Sequence, residues 1–290
     1  MRKLGIEPGE GRLFFWGAAA LALAGWADVS VKNASETLFL KRGPGVDYLP
    51  LAYLLNSVLL VGTTYILGRV AARSNRPRLL PRVMFGVALL LLPLWYLVRT
   101  DAISAFVLLV LASKQFESIA LLAFWLAMGD LLDGRQAKRL FAPMMGGYTL
   151  GSIVGSFASD PIGRQLGIDA LLPVGAAAFA LSGLLALPMR RMLPKGLGRG
   201  SSSVRNRDQS TARSVAPEGS FRALWSESEL FRLLFIGAAA SGLLGPMLYF
   251  QFQYVADQAA AGEEGLLALF AVIRGSINSV VLATQVIVTA

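Results

Sequence analysis

Eight times along this chain an apolar run reaches the ~20 residues that a helix needs to cross a hydrocarbon core ~30 Å thick. The runs fall at 13–40, 48–67, 79–98, 102–128, 141–162, 170–189, 230–254 and 265–290. In lipid the backbone must satisfy its own polar groups, so runs of this length are expected to be helices. Composition agrees, since 55% of the 290 residues are hydrophobic and only 16% are charged, too apolar for a soluble domain of this size. The expected fold is an all-α polytopic membrane protein in contact with a lipid bilayer.

The chain has no His and no Cys. That removes thiol nucleophiles, disulfides, imidazole bases and every His- or Cys-ligated metal site. No connection is large enough to fold into a catalytic domain, so neither an enzyme nor a cofactor is expected. A net charge of +9 would suggest nucleic acid in a soluble protein, but here the basic residues gather in particular connections. Arg2, Lys3 and Arg12 precede the first run and Lys41 and Arg42 follow it. Arg69, Arg73, Arg76, Arg78 and Arg82 crowd the second connection, and Arg99 stands in the third. Arg135, Lys138 and Arg139 come next, then Arg164, then eight basic residues between Arg190 and Arg222, and none between the last two runs. High and low alternate, which places the N-terminus and each basic connection in the cytoplasm; a bacterial inner membrane is the expected location. Arg2 and Lys3 ahead of an apolar run, with Gly25-Trp26-Ala27 beyond it, also admit a signal-peptide reading; Glu7, Glu10 and the bulk of Trp26 weigh against it.

Four segments follow: a cytoplasmic N-terminus over 1–12, a six-helix bundle over 13–192, a linker over 193–226, and the start of a second bundle over 227–290. The linker is rich in Gly, Ser and Arg without apolar period, the composition of a disordered connection. Phe15-Trp16-Gly17-Ala18-Ala19-Ala20 and Leu23-Ala24-Gly25 recur 220 residues later as Phe235-Ile236-Gly237-Ala238-Ala239-Ala240 and Leu243-Leu244-Gly245. Six helices, a linker and a restart of helix one is how a two-bundle transporter is built. Only two helices of the second bundle are present, so the chain is expected to be a fragment of a longer protein.

The first run carries Asp28, Lys32 and Glu36. Steps of four residues turn a helix by only ~40°, so the three form one charged stripe. A lone charge at the bilayer centre costs roughly 2.5–3.5 kcal/mol, so the stripe should face protein or water, either in a cavity within the membrane or as an interfacial charged turn. Lys114 and Glu117 lie one turn apart in the fourth run, a spacing that allows an ion pair, with Lys114 roughly 18 Å from Ala102. Arg274 lies at a comparable depth in the eighth. Lys32, Lys114 and Arg274 suit an anionic solute, with Glu36, Glu117, Gln251 and Asn278 completing the binding set and Asp28 an ion-pair partner; the alternative is a set of interhelical pairs that only fixes packing. Gly147, Gly151 and Gly155, at every fourth position, form a smooth strip for close helix packing. Gly245-Pro246 marks a kink in the seventh run.

The connection from Gly68 through Arg73 and Arg76 to Leu80 has the spacing of the loop between helices two and three of the major facilitator superfamily, with Ala72 where that pattern has an aspartate. More specifically, Arg135-Gln136-Ala137-Lys138-Arg139-Leu140-Phe141, the glycine-rich run after it, Asp47-Tyr48-Leu49-Pro50 with Leu54-Leu55-Asn56, and the stretch from Phe221 onward resemble the ATP/ADP translocase family of bacteria and plastids. The resemblance covers nearly the whole chain. It implies a major-facilitator-like fold and transport of nucleotides by charged residues in several helices. Lys32 falls where the family has a basic residue in helix one and Glu36 where it has an acidic one. A second lysine of that helix would fall at Ser35, the helix-four acid near Ser113, one turn from Glu117, and the helix-seven acid at Gln251. The expected function is secondary transport of a nucleotide or other phosphorylated anion by alternating access. Proton-coupled movement of an unrelated solute through Glu117, or a non-transporting sensor or assembly protein, are the alternatives.

Overall fold

The computed structural model describes Glu7, residues 10–74 and 76–192, Trp225 and residues 229–289. The expected linker, apart from Trp225, lies outside the described residues, as does most of the N-terminal segment before Glu10. The regular structure of the described residues is helical: α1 (Gly11–Lys41), α2 (Leu49–Arg73), α3 (Arg76–Val98), α4 (Ile103–Leu131), α5 (Gly134–Leu166), α6 (Leu171–Ala186), α7 (Glu229–Ala259) and α8 (Gly262–Thr289). Short 3-10 turns at Val46–Tyr48, Ile168–Ala170 and Pro188–Arg191 adjoin them. Each long helix covers one of the eight apolar runs. Six of them, α1 to α4, α6 and α8, with α2 and α6 taken together with the 3-10 turn before each, are long and apolar enough over their described residues to cross a bilayer. The chain is thus a multi-pass helical membrane protein.

α5 is less apolar because glycines and hydroxyls replace aliphatic side chains along it. It also begins two turns before its apolar run. The backbone N–H of Asp133 donates to Gln136 Oε1 at 3.1 Å, one half of a capping box that starts the helix in polar sequence. Pro143 and Pro161 lie inside it, and Pro81 and Pro93 inside α3, as membrane helices tolerate when neighbours compensate.

Two compact units make up the chain: Met1–Met192 with Tyr254–Ala290, and Leu193–Gln253. α8 belongs to the first of these units, with α1 to α6. In the second unit the first turns of α7 carry Phe231 and Phe235, and Trp225 meets Phe235 edge-on at 5.4 Å between centroids.

In the first unit α1 packs against α4, α5, α6 and α8. Van der Waals packing holds helices together in lipid, where burial from water no longer discriminates, so small residues decide how near two backbones come. Gly147, Gly151 and Gly155 of α5 face α1. A Cβ on any of the three would overlap the backbone of Ala18, Ala22 or Trp26, and one on Gly25 would overlap the Tyr148 carbonyl. The same contact seats Ser152 and Ser159 beside α1, where Ser152 Oγ donates to the Gly25 carbonyl at 3.4 Å. Around α1, Leu38, Leu91, Phe106, Leu109, Phe124 and Phe179 are buried and form one apolar core with residues of α3, α4 and α6. α2 touches this core only lightly: Leu54, Val58, Val61, Tyr65 and Ile66 stay exposed along it.

Candidate functional site: a charged ladder between α1, α4, α5 and α8

α1 runs unbroken through its charged stripe to Lys41, and the stripe points into protein. Asp28 and Glu36 are buried and Lys32 nearly so. Two groups of alternating charge grow from it. In the first, Lys32 Nζ lies 3.1 Å from Asp28 Oδ2 and 2.5 Å from Glu117 Oε2 of α4. The Tyr148 hydroxyl of α5 donates to the same Asp28 Oδ2 at 2.8 Å. In the second, Lys114 of α4 donates to Glu36 Oε1 at 2.9 Å while Arg274 of α8 donates to Glu36 Oε2. Arg274 also donates to Asn33 Oδ1 at 2.5 Å, and Asn33 donates in turn to Ser159 of α5 at 3.1 Å.

One carboxylate therefore takes a cation on each of its two oxygens, from two different helices. Charge-assisted bonds of this kind are shorter and roughly twice as strong as neutral ones. Lys114 further lies 5.5 Å from the centroid of the Tyr53 ring of α2, and its neighbour Gln115 donates to Asn56 Oδ1 at 2.7 Å, tying α4 to α2 beside the site. Ser35 donates to Ser113 at 3.0 Å between the two charged groups.

Lys32, Glu36, Lys114, Glu117, Arg274 and Asp28 are thus brought together. The helix-internal pairing of Lys114 with Glu117 that their spacing allows gives way to pairing across helices: Lys114 reaches Glu36, and Glu117 reaches Lys32. Asn278 follows Arg274 by one turn of α8 and is half-buried. Gln251 is exposed on α7, within the other compact unit. In the loop motif, Gly68 has open space where a side chain would be, Arg73 ends α2 in an exposed position, and Arg76 pairs with Asp130 of α4 at 3.2 Å. Tyr148, Asn33, Ser159 and Tyr53 escaped the sequence reading. Tyr148 had one signal, a phenol set beside Gly147 on a helix face otherwise made of small residues.

Ionic contacts also gather at both ends of the bundle. Where α1 begins, Arg139 pairs with Glu7 and with Glu10, the latter at 2.6 Å. The Glu7 N–H donates to the Glu10 carboxylate at 3.0 Å and, with Arg139, holds that carboxyl below its ordinary value. Where α1 ends, Lys41 pairs with Asp257 at 2.8 Å. Arg42 forms a bidentate pair with Glu263 at 2.7 and 2.8 Å, and lies 3.5 Å from Asp169 and 3.9 Å from Asp101. The hydrogen bonds that Arg42 donates to Glu263 push its guanidinium further above its already high value.

Fold and site together define a polytopic helical membrane protein with a charged cluster enclosed by its helices. No protein-family model, no curated protein and no solved structure matches the chain. Among the described residues no group of three carboxylates is placed to hold a metal ion.

Proposed function

We propose that this protein is a secondary transporter for a small anion, a nucleotide or another phosphorylated compound, working by alternating access. The observation that carries the reading is the Glu36 carboxylate, held by Lys114 from α4 and Arg274 from α8 at once. Two cations converging from separate helices on one planar anion form a seat that a solute's phosphate or carboxylate could take over. Ionised side chains within spanning helices are costly and mark solute paths when they face the bundle interior. Nucleotides enter the proposal through the resemblance at Arg135 to Phe141 and in helix one. Its orientation, N-terminus inside an inner membrane, follows from the alternating basic connections.

Lys114→Ala is the direct test. Glu36 keeps Arg274 in that variant, so folding should change little while uptake into proteoliposomes is lost. Wild-type rates would remove Lys114 from the site. A thermal-shift series with ATP, ADP and inorganic phosphate adds a binding readout, because a ligand at ~100 times its Kd stabilises the folded state by about 2.7 kcal/mol.

One observation favours a second reading. Lys32, Lys114 and Arg274 are matched in number by Asp28, Glu36 and Glu117, as a purely structural fastening would be. A sensor or assembly protein on the same scaffold would retain that network and show no shift with any of the three anions.

A further inference from the structure

The two halves of the ladder are unequal in charge. Lys114 and Arg274 meet on Glu36, two cations to one carboxylate; Lys32 serves both Asp28 and Glu117, two carboxylates to one cation, leaving one negative charge over. Every element packed on α1 near Asp28 bears on this surplus. α1 itself supplies Lys32, α4 supplies Glu117, and α5 supplies the Tyr148 hydroxyl. Arg274 of α8 acts on Lys32 from beyond, and α6 carries no charged side chain over Leu171–Ala186.

The two carboxylates are placed differently. The Glu117 side chain is 36% exposed and the Asp28 side chain 4%. Asp28 Oδ2 accepts from Tyr148 and faces Lys32, whereas Oδ1 is buried with no hydrogen-bond partner among the described residues. A bare anionic oxygen in such a place is costly. A proton on Oδ1 would cancel the surplus and leave both contacts of Oδ2 intact.

We propose that Asp28 is a proton-binding site that couples anion movement to the proton gradient. The proton comes from water, forms an O–H bond at Oδ1 and returns to water on the other side, with no redox change. Once Asp28 is neutral, Lys32 is held electrostatically by Glu117 alone and can turn toward an incoming anion. Proton and anion then favour each other's binding, so the movement is cotransport, and by linkage each raises the other's affinity by the same factor. The coupling rests on the transport reading above; the proton site itself does not.

Infrared titration of the purified full chain in detergent tests the site without any solute. The wild type should show a protonated-carboxyl band near neutral pH that bleaches as pH rises. Asp28→Asn should lack that band, and Tyr148→Phe, which removes a donor to the ionised form, should keep it to higher pH. A wild type without the band, or a band unchanged in Asp28→Asn, would overturn the proposal, and the wild-type spectrum decides even if a variant fails to fold. Thermal shifts with ADP or inorganic phosphate read the coupling: apparent affinity should strengthen by up to about tenfold per unit fall in pH in the wild type and stay flat in Asp28→Asn. A normal band with no response to ATP, ADP or phosphate keeps the proton site and removes the anion reading. Anion binding without the band does the reverse.

Discussion

Glu36 binds two cations, one on each oxygen of its carboxylate, so its loss should be felt twice. In Glu36→Ala, Lys114 and Arg274 are left facing each other without their shared counter-ion. Removing one partner from a buried pair costs about 3–5 kcal/mol, and that much destabilisation is expected in a thermal unfolding comparison with the wild type. Lys114→Ala should unfold close to the wild type, because Glu36 retains Arg274. Glu10 offers a pH-dependent case at the other end of α1. Its carboxyl is held below the ordinary value by the Glu7 N–H and by Arg139, so these contacts contribute fully above the unfolded-state value and are lost as pH falls through the lower folded one. Hydrogen exchange in the first turn of α1 should therefore quicken in acid, and Glu10→Gln should abolish that change. What a sequence can reveal at this scale is visible in the same residues. Asp28, Lys32 and Glu36 fall on one face by periodicity alone. Their partners do not, because the distance from Lys114 to Glu36 depends on how α4 lies against α1, which no spacing along either helix encodes.

At the scale of the helix, apolar length located all eight segments, most of them to within a few residues. α5 extended furthest beyond its run because a cap at Asp133, rather than apolarity, sets its beginning. The glycine strip of α5 was legible as a packing surface; that it meets α1 and carries Tyr148, Ser152 and Ser159 to the charged stripe was not. Close approach gives a clear contrast in substitutions. Gly151→Leu would drive a side chain into the Ala22 backbone and should abolish recovery of folded, monodisperse protein. Gly62→Leu on α2, where nothing lies within 4 Å, should be recovered at wild-type yield. Size-exclusion profiles of the two variants would decide it.

For the whole bundle, the ladder runs along the second half of α1, from Asp28 to Glu36, and further ionic contacts lie at its ends. The alternating access proposed above would require one of those ends to open. Arg42 gathers Asp101 and Asp169 from two connections and Glu263 from the first turn of α8, so it is the single side chain whose removal should loosen that end most. The absence of cysteine makes the test direct. Thr37, fully buried between Glu36 and Lys41, should resist a water-soluble maleimide as Thr37→Cys and become labelled when Arg42→Ala is added. Unchanged labelling would mean that Arg42 does not close the path.

The Arg42 cluster lies near the surface, with Asp101 71% exposed, while the pairs of Glu36 with Lys114 and Arg274 are enclosed by helices. Dissolved ions screen exposed charges over ~8 Å at physiological ionic strength and reach enclosed pairs far less. The medium therefore acts on one and spares the other: a rise in salinity should ease the outer fastening while leaving the inner charges as strongly bound to one another as before.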